Sequence, residues 1–328
     1  MSTCATASRL LTEPLAGTAA TARTWLLIEQ PGPWGSDALL SSHLDAAVGR
    51  GLDRATKGTG VRAQLIRRPG RHADCHEPAG RRVFVAHTAP GRSWIRTTRI
   101  ADPAALLELD FAALGAGEHG GLWDAYEGAP LALVCTNGKR DRCCALLGRP
   151  LAAELAASGG TEAWEVTHIG GHRFAPTLLV LPYGYAYGRA TAHDVKDALE
   201  AARDGRIVTR NCRGRSVWDR PGQAAELAVR ALTGEESADA LDVTATDGEA
   251  PRWTVTVAHH DGRAWRVEVE QGAAEPPRPE SCGRALGTPA RMDVVAVTPV
   301  VAVTPGRLSR AGGRDRSQPA AFSTNSVV

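Results

Sequence analysis

Cys135 and Cys144 stand nine positions apart, and the motif His168-Ile169-Gly170-Gly171-His172 begins 24 residues after the second cysteine. Two thiols and two imidazoles within about forty residues are enough to hold a metal centre, so a fold that uses them must bring all four to one point. Lys139, Arg140 and Arg142 lie between the cysteines and favour the thiolate form. Cys135 closes the apolar stretch Leu131–Cys135, which reads as a short strand and a rigid base for a ligand. Gly170 and Gly171 relax steric limits between the histidines, so both rings can turn toward one centre. The helical two-histidine arrangement of a zinc protease does not fit, because the glycines disfavour a helix and no Glu follows His168. Cys143 and Cys144 are adjacent and their side chains diverge; one is expected to be a ligand and the other a packed thiol near the site. Spacing alone leaves open which is which. It also leaves open the metal: zinc is the default for a Cys₂His₂ set, and a [2Fe–2S] cluster with two histidines on one iron is the rarer one.

The remainder of the chain narrows the class of protein. A formal net charge of +2 over 328 residues, with the arginines spread out, gives no electrostatic case for nucleic acid or a membrane surface as partner. No run of 18 apolar residues suggests a transmembrane helix, and Met1 to Ala22 lacks the basic and apolar regions of a secretory signal. Seven cysteines is an odd number and not the pattern of a secreted disulfide framework, so a reducing cytoplasm is expected.

Patterning points to an α/β protein. Strands are expected at Trp25–Glu29, Val61–Arg67, Arg82–His87 and Trp94–Ile100. A helix capped by Asp37 is expected after the first strand, carrying Leu39, Leu40, Leu44 and Val48 on one face. The order recurs: strands at Leu131–Cys135, Trp164–Thr167 and Leu178–Pro182, and helices from Pro150 to Ala157 and His193–Arg203. This suggests two tandem α/β units, residues 1–125 and 126–210, the second carrying the metal site. Residues 211–304 then form an extension with a helix at Pro221–Leu232 and a hairpin around Asp261-Gly262. Residues 305–328 are expected to be a disordered tail.

Three segments together are distinctive: Cys135-Thr-Asn-Gly-Lys-Arg-Asp-Arg-Cys-Cys144, His168-Ile-Gly-Gly-His-Arg-Phe-Ala-Pro176 and Leu181-Pro-Tyr-Gly-Tyr-Ala-Tyr-Gly188. They strongly resemble the sucrase/ferredoxin-like family, as do Glu13–Thr18, Gln30–Gly35 and Arg213-Gly-Arg-Ser216. The resemblance implies a thioredoxin-like fold carrying a [2Fe–2S] cluster, with Cys135, Cys144, His168 and His172 as ligands and Cys143 as a bystander. Many relatives have His where this chain has Asn137, so no imidazole is available there. The implied role is a one-electron carrier or redox sensor, serving an unidentified redox partner. By analogy with Rieske-type centres its potential would lie at roughly −150 to +300 mV. Arg140, Arg142, Cys143 and Arg173 are candidates for contacts around the centre, the arginines also for steering an acidic partner.

Two other classes compete with that reading. The same four residues could form a closed zinc site in a structural or binding domain. Cys143 or Cys144 could serve as the nucleophile of a thiol oxidoreductase. No carboxylate pair marks a glycosidase site, so an electron carrier suits the residues better than a sucrase. Gly115-Ala-Gly-Glu-His-Gly120 has Rossmann spacing but follows a helix-like segment, not a strand. His72, Cys75 and His76 read as incidental loop residues, and His259-His260 as exposed beside a hairpin turn.

Overall fold

The computed structural model describes residues 3–70 and 80–300. His72, Cys75, His76 and the tail from residue 305 lie outside the described residues. Ten strands make one sheet: β1 (Thr24–Glu29), β2 (Val61–Arg67), β3 (Arg81–His87), β4 (Trp94–Ile100), β5 (Asp124–Ala125), β6 (Leu131–Cys135), β7 (Glu162–Val166), β8 (Leu178–Leu181), β9 (Tyr185–Tyr187) and β10 (Cys212–Arg215). Their order is β10-β9-β8-β6-β7-β2-β1-β3-β4-β5.

The sheet consists of two halves with the same wiring. In the first, β1 runs parallel to β2 and antiparallel to β3, and β4 follows antiparallel. In the second, β6 stands in the same relation to β7, β8 and β9. The halves meet edge to edge where β2 and β7 pair antiparallel, Ile66 opposite Val166 and Arg67 opposite Glu165. Arg67 and Glu165 also form an ion pair at 2.6 Å across that seam. The protein is therefore mixed α/β, with one large mixed sheet.

Strand alternation sorts the core. Leu131, Leu133 and Cys135 of β6 join Trp25 and Leu27 of β1 in a cluster that runs across both halves. Ala132 and Val134 face the other way, against α5 (Arg149–Ser158) and α6 (Ala192–Arg203). Leu26 and Ile28 face α3 (Ala46–Thr56) and α4 (Phe111–Ala116). Each buried Leu or Ile contributes roughly 1.5–3 kcal/mol, so the alternation that aims Cys135 inward is strongly held.

The expected helix after Asp37 is two pieces. Between a short α2 (Ala38–Ser41) and α3 the chain turns, Asp37 makes no side-chain cap, and Asp45 caps α3 instead through the N–H groups of Ala47 (2.8 Å) and Val48 (3.0 Å). Gly49 explains the break: a Cβ there would meet the Leu39 carbonyl oxygen at 1.9 Å, so the two pieces cross where only glycine fits. Leu40, expected on the apolar face, is 42% exposed.

The extension is larger than a helix and a hairpin. A four-stranded antiparallel sheet packs its apolar face on α7 (Arg220–Thr233): β11 (Leu241–Glu249), β12 (Arg252–His259), β13 (Ala264–Ala273) and, after the short pair β14 (Arg278–Pro279) and β15 (Leu286–Gly287), β16 (Ala290–Val300). The hairpin at Asp261-Gly262 is present, with Gly262 at φ +96°. His259 is buried, not exposed: its ring bonds Glu235 at 2.8 Å and accepts the Asp261 N–H at 3.1 Å. The Gly115–Gly120 stretch begins inside α4, with Gly117 capping it in the left-handed region, so it is not a strand-to-helix phosphate loop.

Candidate metal centre

Cys135 ends β6 in register with Val166 of its parallel neighbour β7, and His168 follows two residues after Val166. Both therefore emerge at the carboxyl ends of adjacent parallel strands, where α/β sheets place their ligands. Cys144 opens a single π-helical turn, Cys144–Gly148, that leads into α5. Gly148 makes this possible, since a Cβ there would lie 2.1 Å from the Cys135 carbonyl oxygen.

The sulfurs of Cys135 and Cys144 are 3.3 Å apart, and both residues are fully buried. Ligand atoms of Cys135, Cys144 and His168 all lie within 4.8 Å of one another. Two sulfurs on one tetrahedral metal at about 2.3 Å would be separated by about 3.8 Å, so the pair is near the spacing of two ligands on a single ion. The His172 ring lies against that of His168, centroids 5.1 Å apart. Nδ1 of both histidines is buried without a hydrogen-bond partner. Buried ring nitrogens left unpaired are costly, and metal ligation is a way of satisfying them.

The electrostatics favour a thiolate. Cys135 is held well below the ordinary thiol range, first by the hydrogen bond it shares with Cys144 and then by His168 and the Ile169 N–H, against burial. Cys144 is pushed up by the same shared bond and by burial. Two arginines hold the histidine loop beside this charge. Arg62 donates to the His168 carbonyl at 3.0 Å. Arg213, 0% exposed, donates to the Gly170 carbonyl at 3.1 Å and binds Thr18 through its side-chain and carbonyl oxygens. Burial lowers the Arg213 pKa to about 9, while the Cys135 charge opposes the shift. Burying an unpaired cation costs several kcal/mol, which an ionised sulfur nearby offsets.

Gly170 and Gly171 lie at φ +81° and +72°. At Gly171 a Cβ would fall 2.1 Å from Nη2 of Arg213, so one glycine serves both the turn and the arginine's approach.

The other expected neighbours are placed differently from one another. Arg140 is exposed and lines an open cleft of about 930 Å³ that His168 also borders. Arg142 is exposed. Arg173 is held by Glu13 at 2.8 Å. The Cys143 sulfur lies 3.4 Å from Cys4 and 3.2 Å from Cys282, because consecutive helical side chains point about 100° apart. Its thiol is lowered to about 6, chiefly by the hydrogen bond with Cys4. Asn137 is buried with its amide nitrogen unpartnered.

Three further residues at the site have little or no signal in the sequence. Asp141, inside the Cys135–Cys144 segment, puts Oδ2 3.6 Å from His172 Nε2. Its only sequence signal was its position between the cysteines. Arg213 stood in the Arg213–Ser216 motif but carried no role, and Arg62 had no signal beyond its strand. Comparison with curated proteins finds no match, and comparison with solved structures finds none. The sucrase/ferredoxin-like family matches residues 15–214, well over half of the chain and the whole of the Cys/His region, and the chain belongs to that family.

Proposed function

We propose that this protein is an electron carrier or redox sensor that holds a [2Fe–2S] cluster through Cys135, Cys144, His168 and His172. The observation that carries the reading is the sulfur pair 3.3 Å apart with a ligand atom of His168 within 4.8 Å, and the tilted His172 ring beside His168, each ring with an unpartnered buried Nδ1. Such a cluster, when bound, supplies reversible one-electron chemistry. The chain's own groups tune and position it. Arg62 and Arg213 hold the histidine loop by its carbonyls, and Asp141 stands where it can receive a proton from, or orient, Nε2 of His172.

The repeated wiring of the two half-sheets supports a tandem of thioredoxin-like units, with the second half as the ferredoxin unit and α7 with its sheet as an added layer. The cleft beside His168, lined by Arg23, Lys57, Arg62 and Arg140 against Asp37 and Asp53, is the proposed approach for an acidic redox partner. The six described cysteines are free, in keeping with a reducing cytoplasm. No described helix is long and apolar enough to cross a membrane.

A zinc site built from the same residues is the second reading, favoured by the compactness of Cys135, Cys144 and His168 within 4.8 Å. The thiol-oxidoreductase reading has less support, since Cys143 and Cys144 are both 0% exposed.

Anaerobic purification, a visible spectrum, iron, sulfide and zinc content, and EPR after reduction test the proposal. About two iron and two sulfide per chain with a reducible paramagnetic signal are expected. Cys135→Ala or His172→Ala should remove the visible absorbance; full retention in both sinks the ligand assignment.

A further inference from the structure

Cys4, at the start of α1 (Cys4–Leu10), meets Cys143 and Asp141 from the turn after β6 and Cys282 from the loop between β14 and β15. We propose that Cys4, Cys143, Cys282 and Asp141 form a second metal site, for one zinc-class divalent ion held by three thiolates and a carboxylate.

The geometry is that of a tetrahedron's face. The three sulfur separations are 3.4 Å (Cys4–Cys143), 3.6 Å (Cys4–Cys282) and 3.2 Å (Cys143–Cys282). A tetrahedral ion about 2.3 Å from each sulfur sets edges of about 3.8 Å. The Cys4 sulfur lies 3.9 and 4.0 Å from the two carboxylate oxygens of Asp141, and the four ligand atoms are all within 4.8 Å of one another.

The surroundings are arranged around acceptors. Asp141 is fixed by the N–H of Cys143 (2.8 Å), the N–H of Cys282 (2.9 Å) and the Ser281 hydroxyl (2.8 Å). Outer hydrogen bonds of this kind orient carboxylate ligands in metal sites. Packing thiols as small apolar groups would need neither the fixed carboxylate nor the N–H donors. A disulfide accounts for two of the three sulfurs and leaves the third with no role. On binding, the thiols release their protons to solvent and the ion joins three distant segments of chain. Because Asp141 also reaches His172, the ion would brace the loop that carries Cys144 and Asp141.

The site is separable from the proposed cluster by its metal. The full-length protein, isolated anaerobically and dialysed against a weak chelator, should retain about one zinc per chain at this site. Cys4→Ser with Cys282→Ser should lower that zinc at least tenfold while the visible spectrum stays; Cys135→Ser should do the reverse. If the first centre is itself zinc, the wild type should hold about two, and each variant should lose one. Should the double variant not fold, cobalt(II) titration of metal-free Cys135→Ser protein, whose first centre is disabled, gives the same answer through thiolate-to-cobalt charge-transfer absorbance. Zinc content unchanged in a folded double variant, no such absorbance in the Cys135→Ser protein, or a disulfide among these cysteines in freshly isolated protein would each overturn the proposal.

Discussion

Oδ2 of Asp141 lies 3.6 Å from Nε2 of His172, and the same carboxylate accepts the backbone N–H groups of Cys143 and Cys282. One buried side chain thus stands between the histidine loop and a cluster of three cysteines. Burial lowers the pKa of His172, and the Asp141 charge works against that.

Asp141→Asn should therefore lower the His172 pKa further. In the cluster-loaded protein, the pH at which the midpoint potential begins to fall should move down relative to wild type. An optical redox titration across a pH series measures this. An unchanged profile would mean that the carboxylate does not act on His172.

Arg213 is a fully buried cation that donates to the Gly170 carbonyl of the histidine loop. Arg213→Leu removes positive charge beside the centre, which makes electron uptake harder. The midpoint potential should drop by on the order of tens of millivolts, with a lower Tm as the Gly170 carbonyl loses its donor. Arg213→Lys should recover most of the potential but less of the stability, because a point charge does not reproduce the guanidinium's contacts to Thr18 and Gly170.

The two glycines of the histidine motif should differ. Gly170→Ala meets only Ala20 Cβ at 3.6 Å, so its cost is the left-handed backbone alone, about 1–2 kcal/mol. Gly171→Ala adds a collision with Arg213 and should cost clearly more, with loss of bound metal. Urea unfolding midpoints and metal content of the two variants check the order.

His87 supplies a pH dependence remote from the metal. It is buried, and its pKa falls from the ordinary 6.5 to about 4, first through desolvation and then through Arg92, Arg23 and Arg215. Nδ1 bonds Thr24 at 2.8 Å and Nε2 has no partner, so protonation would bury an unanswered N–H. Between these two pH values the unfolded chain binds the proton and the folded one does not. Stability should fall as pH drops from about 6.5 toward 4, by at most about 3 kcal/mol from this residue. His87→Gln should flatten that slope in chemical unfolding at pH 7 and 4.5; an equally steep slope would assign the loss to other groups.

The chain's local chemistry was legible where one segment carried all of it. The strands at Val61–Arg67 and Leu131–Cys135 stand where alternation and apolar runs put them. Cys135, Cys144 and His168 converge because strand ends and a short loop hold them, and their spacing already bounded how far apart they could be. The break between α2 and α3 was not legible, because the Gly49–Leu39 approach that enforces it is a tertiary contact. Nor was the burial of His259, which depends on Glu235 from a separate segment.

By itself, then, the sequence determined the α/β class and the chemical identity of the cysteine and histidine pairs, since each follows from short-range periodicity or residue type. Only the tertiary structure decided that the two half-sheets join through the β2–β7 seam, that Arg62, Arg213 and Asp141 lie around the pairs, and that Cys4 and Cys282 reach Cys143 from opposite ends of the chain. Those contacts join residues tens to hundreds of positions apart, and no local pattern encodes which distant partners a closed core will bring together.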